Sequence, residues 1–142
     1  MKKILVIVLL FSMLSLSGCA IFRELKAGMD EAATFAEDFC KDLAKDDLVA
    51  AQNKMHPDST PGKNELSTYL ANLEQINDID FSNGVAFKRR IETSSTYYDS
   101  QYDGSVHQFT YEIVVGNKSV NCFFVIVSND QGYGIYSFGI LE

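Results

Sequence analysis

The chain has 142 residues, 12 basic against 19 acidic side chains, a net charge of −7, 46% hydrophobic residues, three cysteines and two histidines. That length supports one domain around a single core and is too short for two. The acidic balance makes nucleic acid and anionic membrane surfaces poor partners, which excludes the polyanion-binding classes.

The first element in chain order is a leader. Lys2 and Lys3 precede an almost unbroken apolar run over residues 4–14, followed by the small residues Ser15, Ser17 and Gly18. The run is shorter than the ~20 apolar residues a helix needs to span a bilayer core, which argues against a permanent transmembrane anchor. The tetrapeptide Leu16-Ser17-Gly18-Cys19 that closes it resembles a bacterial lipoprotein processing site. The resemblance implies that the Cys19 thiol receives a diacylglyceryl group, that a dedicated peptidase accepts the small Ser17 and Gly18, and that Cys19 becomes the first residue. One acyl chain binds a membrane only reversibly, so the two or three chains of a lipoprotein make the anchoring stable. A lipid-anchored cell-envelope protein is implied. In a Gram-negative host, Ala20 after the modified cysteine resembles the default for outer-membrane sorting, facing the periplasm. The expected organisation is residues 1–18 signal peptide, 19–29 lipid attachment and start of the first helix, and 30–142 a single α+β domain.

Phe22, Leu25, Met29, Ala32, Ala36, Phe39 and Leu43 recur at steps of three and four, which predicts a helix over residues 21–44 with one apolar stripe. Its other face carries Glu24, Asp30, Glu31, Glu37, Asp38 and Asp42, either a docking surface for a basic partner or a solvated face. Asp46 or Asp47 can cap a second helix over residues 48–55, which His56-Pro57-Asp58 breaks. Thr60 followed by Pro61 reads as an N-cap with proline at the first helical position, opening a third helix with Leu66, Tyr69, Leu70, Leu73 and Ile76 on one side.

From Gly84 the period becomes two, first through Val85, Phe87 and Ile91 and then through His107, Phe109, Tyr111, Ile113 and Val115. Gly116-Asn117 is a two-residue hairpin turn into a strand from Lys118 through Val127, and Asn129 to Gly132 turn into a last strand ending near Leu141. Helices first and antiparallel strands second is an α+β order, with N-terminal helices packed on a curved sheet of about four strands. The strand of residues 120–127 is apolar on both faces and is expected to be central. Helices cover only one face of such a sheet, so the other is expected to meet a homodimer mate, a partner protein or the leading helix.

This order resembles the nuclear transport factor two-like, or cystatin-like, cone fold over about residues 30–141. The resemblance rests on Phe35-Ala36-Glu37-Asp38-Phe39-Cys40-Lys41-Asp42-Leu43-Ala44-Lys45-Asp46-Asp47, then Ala50-Ala51 and Pro57-Asp58, and on Tyr133-Gly134-Ile135-Tyr136-Ser137-Phe138-Gly139-Ile140, which looks like the closing strand. Many members carry a tryptophan in that strand, where this chain has Tyr133 and Tyr136. Enzymes of this fold work in the cone between helices and sheet, which makes His107, Tyr111 and Arg89 candidate ligand-binding residues, Arg89 by the match of guanidinium to carboxylate. Rim positions with structural partners explain the same residues. Fold does not by itself supply function.

Cys40 and Cys122 remain for the mature fold, and export allows them either to bridge or to serve as small buried apolar residues. No histidine sits at a metal-ligand spacing with them, so no metal and no cofactor is expected. Lys88-Arg89-Arg90 is split across two faces by strand geometry and makes no nucleic-acid patch. Tyr97 and Tyr98 suit either stacking on a sugar or peptide, or cross-strand packing. The expected function is a lipid-anchored, non-catalytic binding protein acting on an envelope protein or small ligand. The alternatives are a cone-pocket carrier or enzyme, and an immunity or inhibitor protein.

Overall fold

The computed structural model describes residues 26–141; the leader, Cys19, Phe22, Leu25 and the start of the first helix lie outside the described residues. Helix α1 occupies residues 26–44, and Ala32, Ala33, Ala36, Phe39, Cys40 and Leu43 form its buried stripe at the expected helical spacing. Asp46 takes a left-handed backbone (φ 56°) to end the helix, and the Asp47 carboxylate accepts from the Ala50 N–H at 3.0 Å to cap helix α2, Leu48–Asn53. Met55 leaves that helix and makes a parallel bridge with Ile135.

The third helix begins later than Thr60-Pro61 predicts. The Thr60 N–H donates to the Tyr136 carbonyl at 2.8 Å, which commits this segment to the sheet edge. Gly62 and Glu65 then frame a 3-10 turn, Lys63–Glu65, with the Gly62 N–H donating to Glu65 Oε2, and helix α3 spans Leu66–Asn77. Leu66 and Leu73 are its buried anchors, while Ile76 is 76% exposed, against the expected stripe. The stripe is cut short because the helix stops one residue later, Asp78 turning left-handed at φ 54°.

Four antiparallel strands follow: β1 Val85–Asp99, β2 Gly104–Val115, β3 Lys118–Asn129 and β4 Gly132–Leu141, in the order β1-β2-β3-β4. Gly116 supplies the positive φ of 60° that the β2–β3 hairpin turn needs. The class is α+β, with the helices packed against a curved antiparallel sheet. β3 is central, as its two apolar faces predict.

On the face turned to α1, Phe109 opposes Phe124, Tyr111 opposes Cys122, and Phe124 opposes Phe138. Phe39 of α1 meets Phe138 edge-on at 4.9 Å, and Phe35 meets Tyr133 in the same way at 4.9 Å. Each such pair adds roughly 0.5–1.5 kcal/mol beyond the area it buries. The opposite face is partly covered by the chain itself. Val106 and Val127 are buried there, while Phe123 and Val125 remain half-buried.

The outer edge of β4 is closed by the helical half. The Ile135 N–H donates to the Lys54 carbonyl at 2.9 Å, the His56 N–H returns to the Ile135 carbonyl at 2.9 Å, and the Tyr69 hydroxyl donates to the Phe138 carbonyl at 2.7 Å. This approach needs a residue without a side chain at Gly134, where a Cβ would lie 2.6 Å from the His56 nitrogen and 2.7 Å from the Lys54 oxygen. We therefore expect Gly134→Ala to lower stability by about 1–3 kcal/mol in urea unfolding. Gly28→Ala, whose Cβ would meet only the His107 ring at 3.7 Å, should be neutral or stabilising by about 0.5–1 kcal/mol.

Candidate functional site

The β1–β2 hairpin carries most of the exposed chemistry. Two of the three irregularities in β1, between Phe87 and Arg89 and between Arg90 and Glu92, break its alternation around the arginines. Their effect corrects the placement expected for Arg89. Its Nε donates to Glu112 Oε2 at 2.7 Å on the face away from α1, and that bond holds the Glu112 carboxyl below the usual carboxylate range. Arg90 takes the inward role instead, lying over the Phe109 and Tyr111 rings at 5.2 and 5.5 Å, with its Nε donating to the Tyr111 hydroxyl at 3.2 Å. Burial raises the Tyr111 hydroxyl pKa, and Arg90 works against that rise.

His107 lies on the α1 side of β2, half-buried, with Ser95 opposite it on β1. The Ser95 Oγ and His107 Nδ1 are 2.7 Å apart, a partner the sequence did not disclose. Burial lowers the His107 pKa, and the Glu31 carboxylate of α1 opposes this. Glu31 also raises the neighbouring Tyr133, whose pKa is pushed up to about 12 chiefly by burial. A serine, a histidine and a carboxylate thus share one flank. Among the described residues no hydrogen bond joins the histidine to an acid, and the partner of its Nδ1 is Ser95.

Of the acidic face of α1, Asp38 pairs with Lys41 at 2.8 Å and Asp42 with Lys54, which spends two of the charges a basic partner would meet. Cys40 and Cys122 are both fully buried in the core as free thiols. Burial raises both pKa values, that of Cys122 to about 12, so neither is a ready nucleophile. Among the described residues no cluster of three His, Cys, Asp or Glu side chains is placed to hold a metal.

The second histidine is structural. His56 is fully buried; its Nδ1 accepts from the Asp58 N–H at 3.0 Å and its Nε2 lies 3.0 Å from Asn129 Oδ1, which makes it neutral with the proton on Nε2. Asn129 passes the tie on, its Nδ2 donating to the Tyr102 carbonyl at 2.8 Å. His56-Pro57-Asp58 marks a turn in the sequence, but no local signal there points to Asn129.

Further exposed surface lies on the sheet. A groove of about 530 Å³ runs along its outer face between Ile91, Gln108, Thr110, Phe123 and Val125. β1 itself is exposed along most of its length, with Ile91 at 43%, Tyr97 at 85% and Tyr98 at 58% exposure. Tyr97 therefore does not pack across the strands, and Tyr98 donates its hydroxyl to Asp103 at 2.7 Å. No described helix is long and apolar enough to cross a membrane.

No family model, curated protein or solved structure matches this chain.

The His107 environment has a pH consequence. Its folded pKa is lowered, so the unfolded chain binds more protons as pH falls through the ordinary histidine range. Stability is unaffected by this group at neutral pH and is lost on acidification below about pH 6.5. An NMR titration of the ring should give a midpoint below the ordinary value. His107→Gln should flatten the loss of stability between about pH 7 and 5.

Proposed function

We propose that this chain is a bacterial envelope lipoprotein, held in the membrane by acyl chains on Cys19, whose domain is of the nuclear transport factor two-like, or cystatin-like, kind. It acts without catalysis, by binding another protein through the open edge of β1. The observation that carries the binding surface is the contrast between the two sheet edges. The β4 edge is closed by Lys54, His56, Thr60 and Tyr69, whereas among the described residues nothing outside the sheet hydrogen-bonds to the backbone of residues 85–98. A strand edge left with free N–H and C=O groups is a template for strand addition. The Cys19 lipobox supports the location, and the acidic balance directs binding toward protein rather than nucleic acid.

A small-ligand site on the α1 flank is the second reading, favoured by the 2.7 Å Ser95–His107 contact beside Arg90 and Tyr111. A small carboxylate that shifts the melting temperature of the native chain and equally that of His107→Ala would rule it out.

Two measurements test the main reading. With Cys19→Ser, the chain should move from the membrane fraction to the soluble fraction; retention in the membrane would refute lipid anchoring. A photo-reactive side chain at Tyr97 in living cells should yield one discrete cross-linked band, whereas the same group at Thr68 on α3 should not. Equal yields would remove β1 as the contact.

A further inference from the structure

We propose that the partner of the β1 edge is a second copy of the chain, the two β1 strands pairing antiparallel about a two-fold axis through Ser94 to give one continuous eight-stranded sheet. This inference rests on β1 being the binding edge and names what binds there.

β1 is complementary to itself. Its first half carries Lys88, Arg89 and Arg90, its middle is Thr93-Ser94-Ser95-Thr96, and its end is Tyr97-Tyr98-Asp99. Reversing one copy against the other about Ser94 places Arg89 opposite Asp99, Arg90 opposite Tyr98, and Ile91 opposite Tyr97. Glu92 then faces Thr96, and Thr93 faces Ser95. Each half of the pair repeats the same matches, as an isologous contact requires. The three exposed apolar residues of the strand, Ile91, Tyr97 and Tyr98, all gain neighbours.

The irregularities of β1 are consistent with this register. One lies between Arg90 and Glu92 and another between Thr96 and Asp99. In the proposed pairing these stretches stand opposite each other, with two residues on each strand between the Glu92–Thr96 and Arg89–Asp99 matches. Neither copy has to change its bulges. Arg89 binds Glu112 through Nε, which leaves the outer nitrogens of its guanidinium free for Asp99.

The anchor geometry agrees. A two-fold axis perpendicular to the sheet keeps both α1 helices on the same side of the joined sheet. Gly28 of α1 lies beside His107, which pairs with Ser95, next to the axis. Cys19 precedes Lys26 by seven residues, a tether of at most about 25 Å. Both acyl groups therefore reach one bilayer.

Cysteine cross-linking of the full lipidated chain in its membrane tests the register. Residues directly opposite in an antiparallel pair have Cα atoms about 4.5–5.5 Å apart, within disulfide reach. Under a mild thiol oxidant, Ser94→Cys should form a disulfide dimer at least about tenfold faster than Thr68→Cys on α3. Arg89→Asp and Asp99→Arg, each added to Ser94→Cys, should slow the dimer about tenfold, and the two together should restore it. Equal rates at Ser94 and Thr68, or no rescue by the double exchange, overturns self-pairing. If Ser94→Cys stays monomeric while a group at Tyr97 still cross-links to a different protein, the strand edge remains the binding site and only its self-association is lost.

Discussion

The parallel bridge between Met55 and Ile135 is the contact on which the rest of the structure depends. Strand β4 ends the sheet, and its outward N–H and C=O groups have to be satisfied or left to water. The chain satisfies them with its own segment between α2 and α3, through Lys54, His56 and Thr60, and then with the Tyr69 hydroxyl one helix later. The helical half is thereby fixed against the sheet by backbone bonds, which are more directional than packing. Gly134 is required at the crossing, and Thr60 is drawn to β4 at the expense of the helix that Pro61 would otherwise begin.

With that edge fixed, α1 has one place to lie. Its Phe39 is brought onto Phe138, and Phe124 and Phe138 stack beneath at 6.4 Å. The small residues Ala32, Ala33 and Ala36 let the helix approach the sheet closely, and Gly28 lies beside the His107 ring. The helix covers β2, β3 and β4 but not β1, whose inward Arg90 and Thr93 stay exposed. The candidate polar site at Ser95 and His107 is therefore a by-product of where α1 stops covering the sheet. It is an open flank rather than a closed cone, and the groups on it are only half removed from water.

What the sequence discloses follows the range of the forces involved. The stripe of α1, the Asp47 cap, the Gly116-Asn117 turn and the two-faced β3 are encoded within a few residues of each other, and each is legible before folding. The start of α3, the exchange of roles between Arg89 and Arg90, and the His56–Asn129 tie are decided by contacts across the chain, the last over 73 residues. Strict alternation assigns a face to every residue of β1, and one bulge is enough to reverse that assignment. The Ser95–His107 contact was hidden for a simpler reason: register between two strands joined by a loop is not fixed by either strand alone.

Under the proposed lipid anchoring, two copies can meet through the outer sheet faces or through the β1 edges. Pairing through the outer sheet faces, at Phe123 and Val125, would bury more apolar surface but would put the two α1 helices on opposite sides of the assembly. Their anchors would then leave in opposite directions, and one bilayer could serve both only if each tether curled round its own domain. Edge pairing through β1 keeps both helices on one side and satisfies backbone groups that face pairing leaves in water. The proposed confinement to a membrane would also raise the effective concentration of a second copy, so that a contact of modest area would suffice. The lipid would then determine which edge of the sheet can be shared as well as where the domain resides.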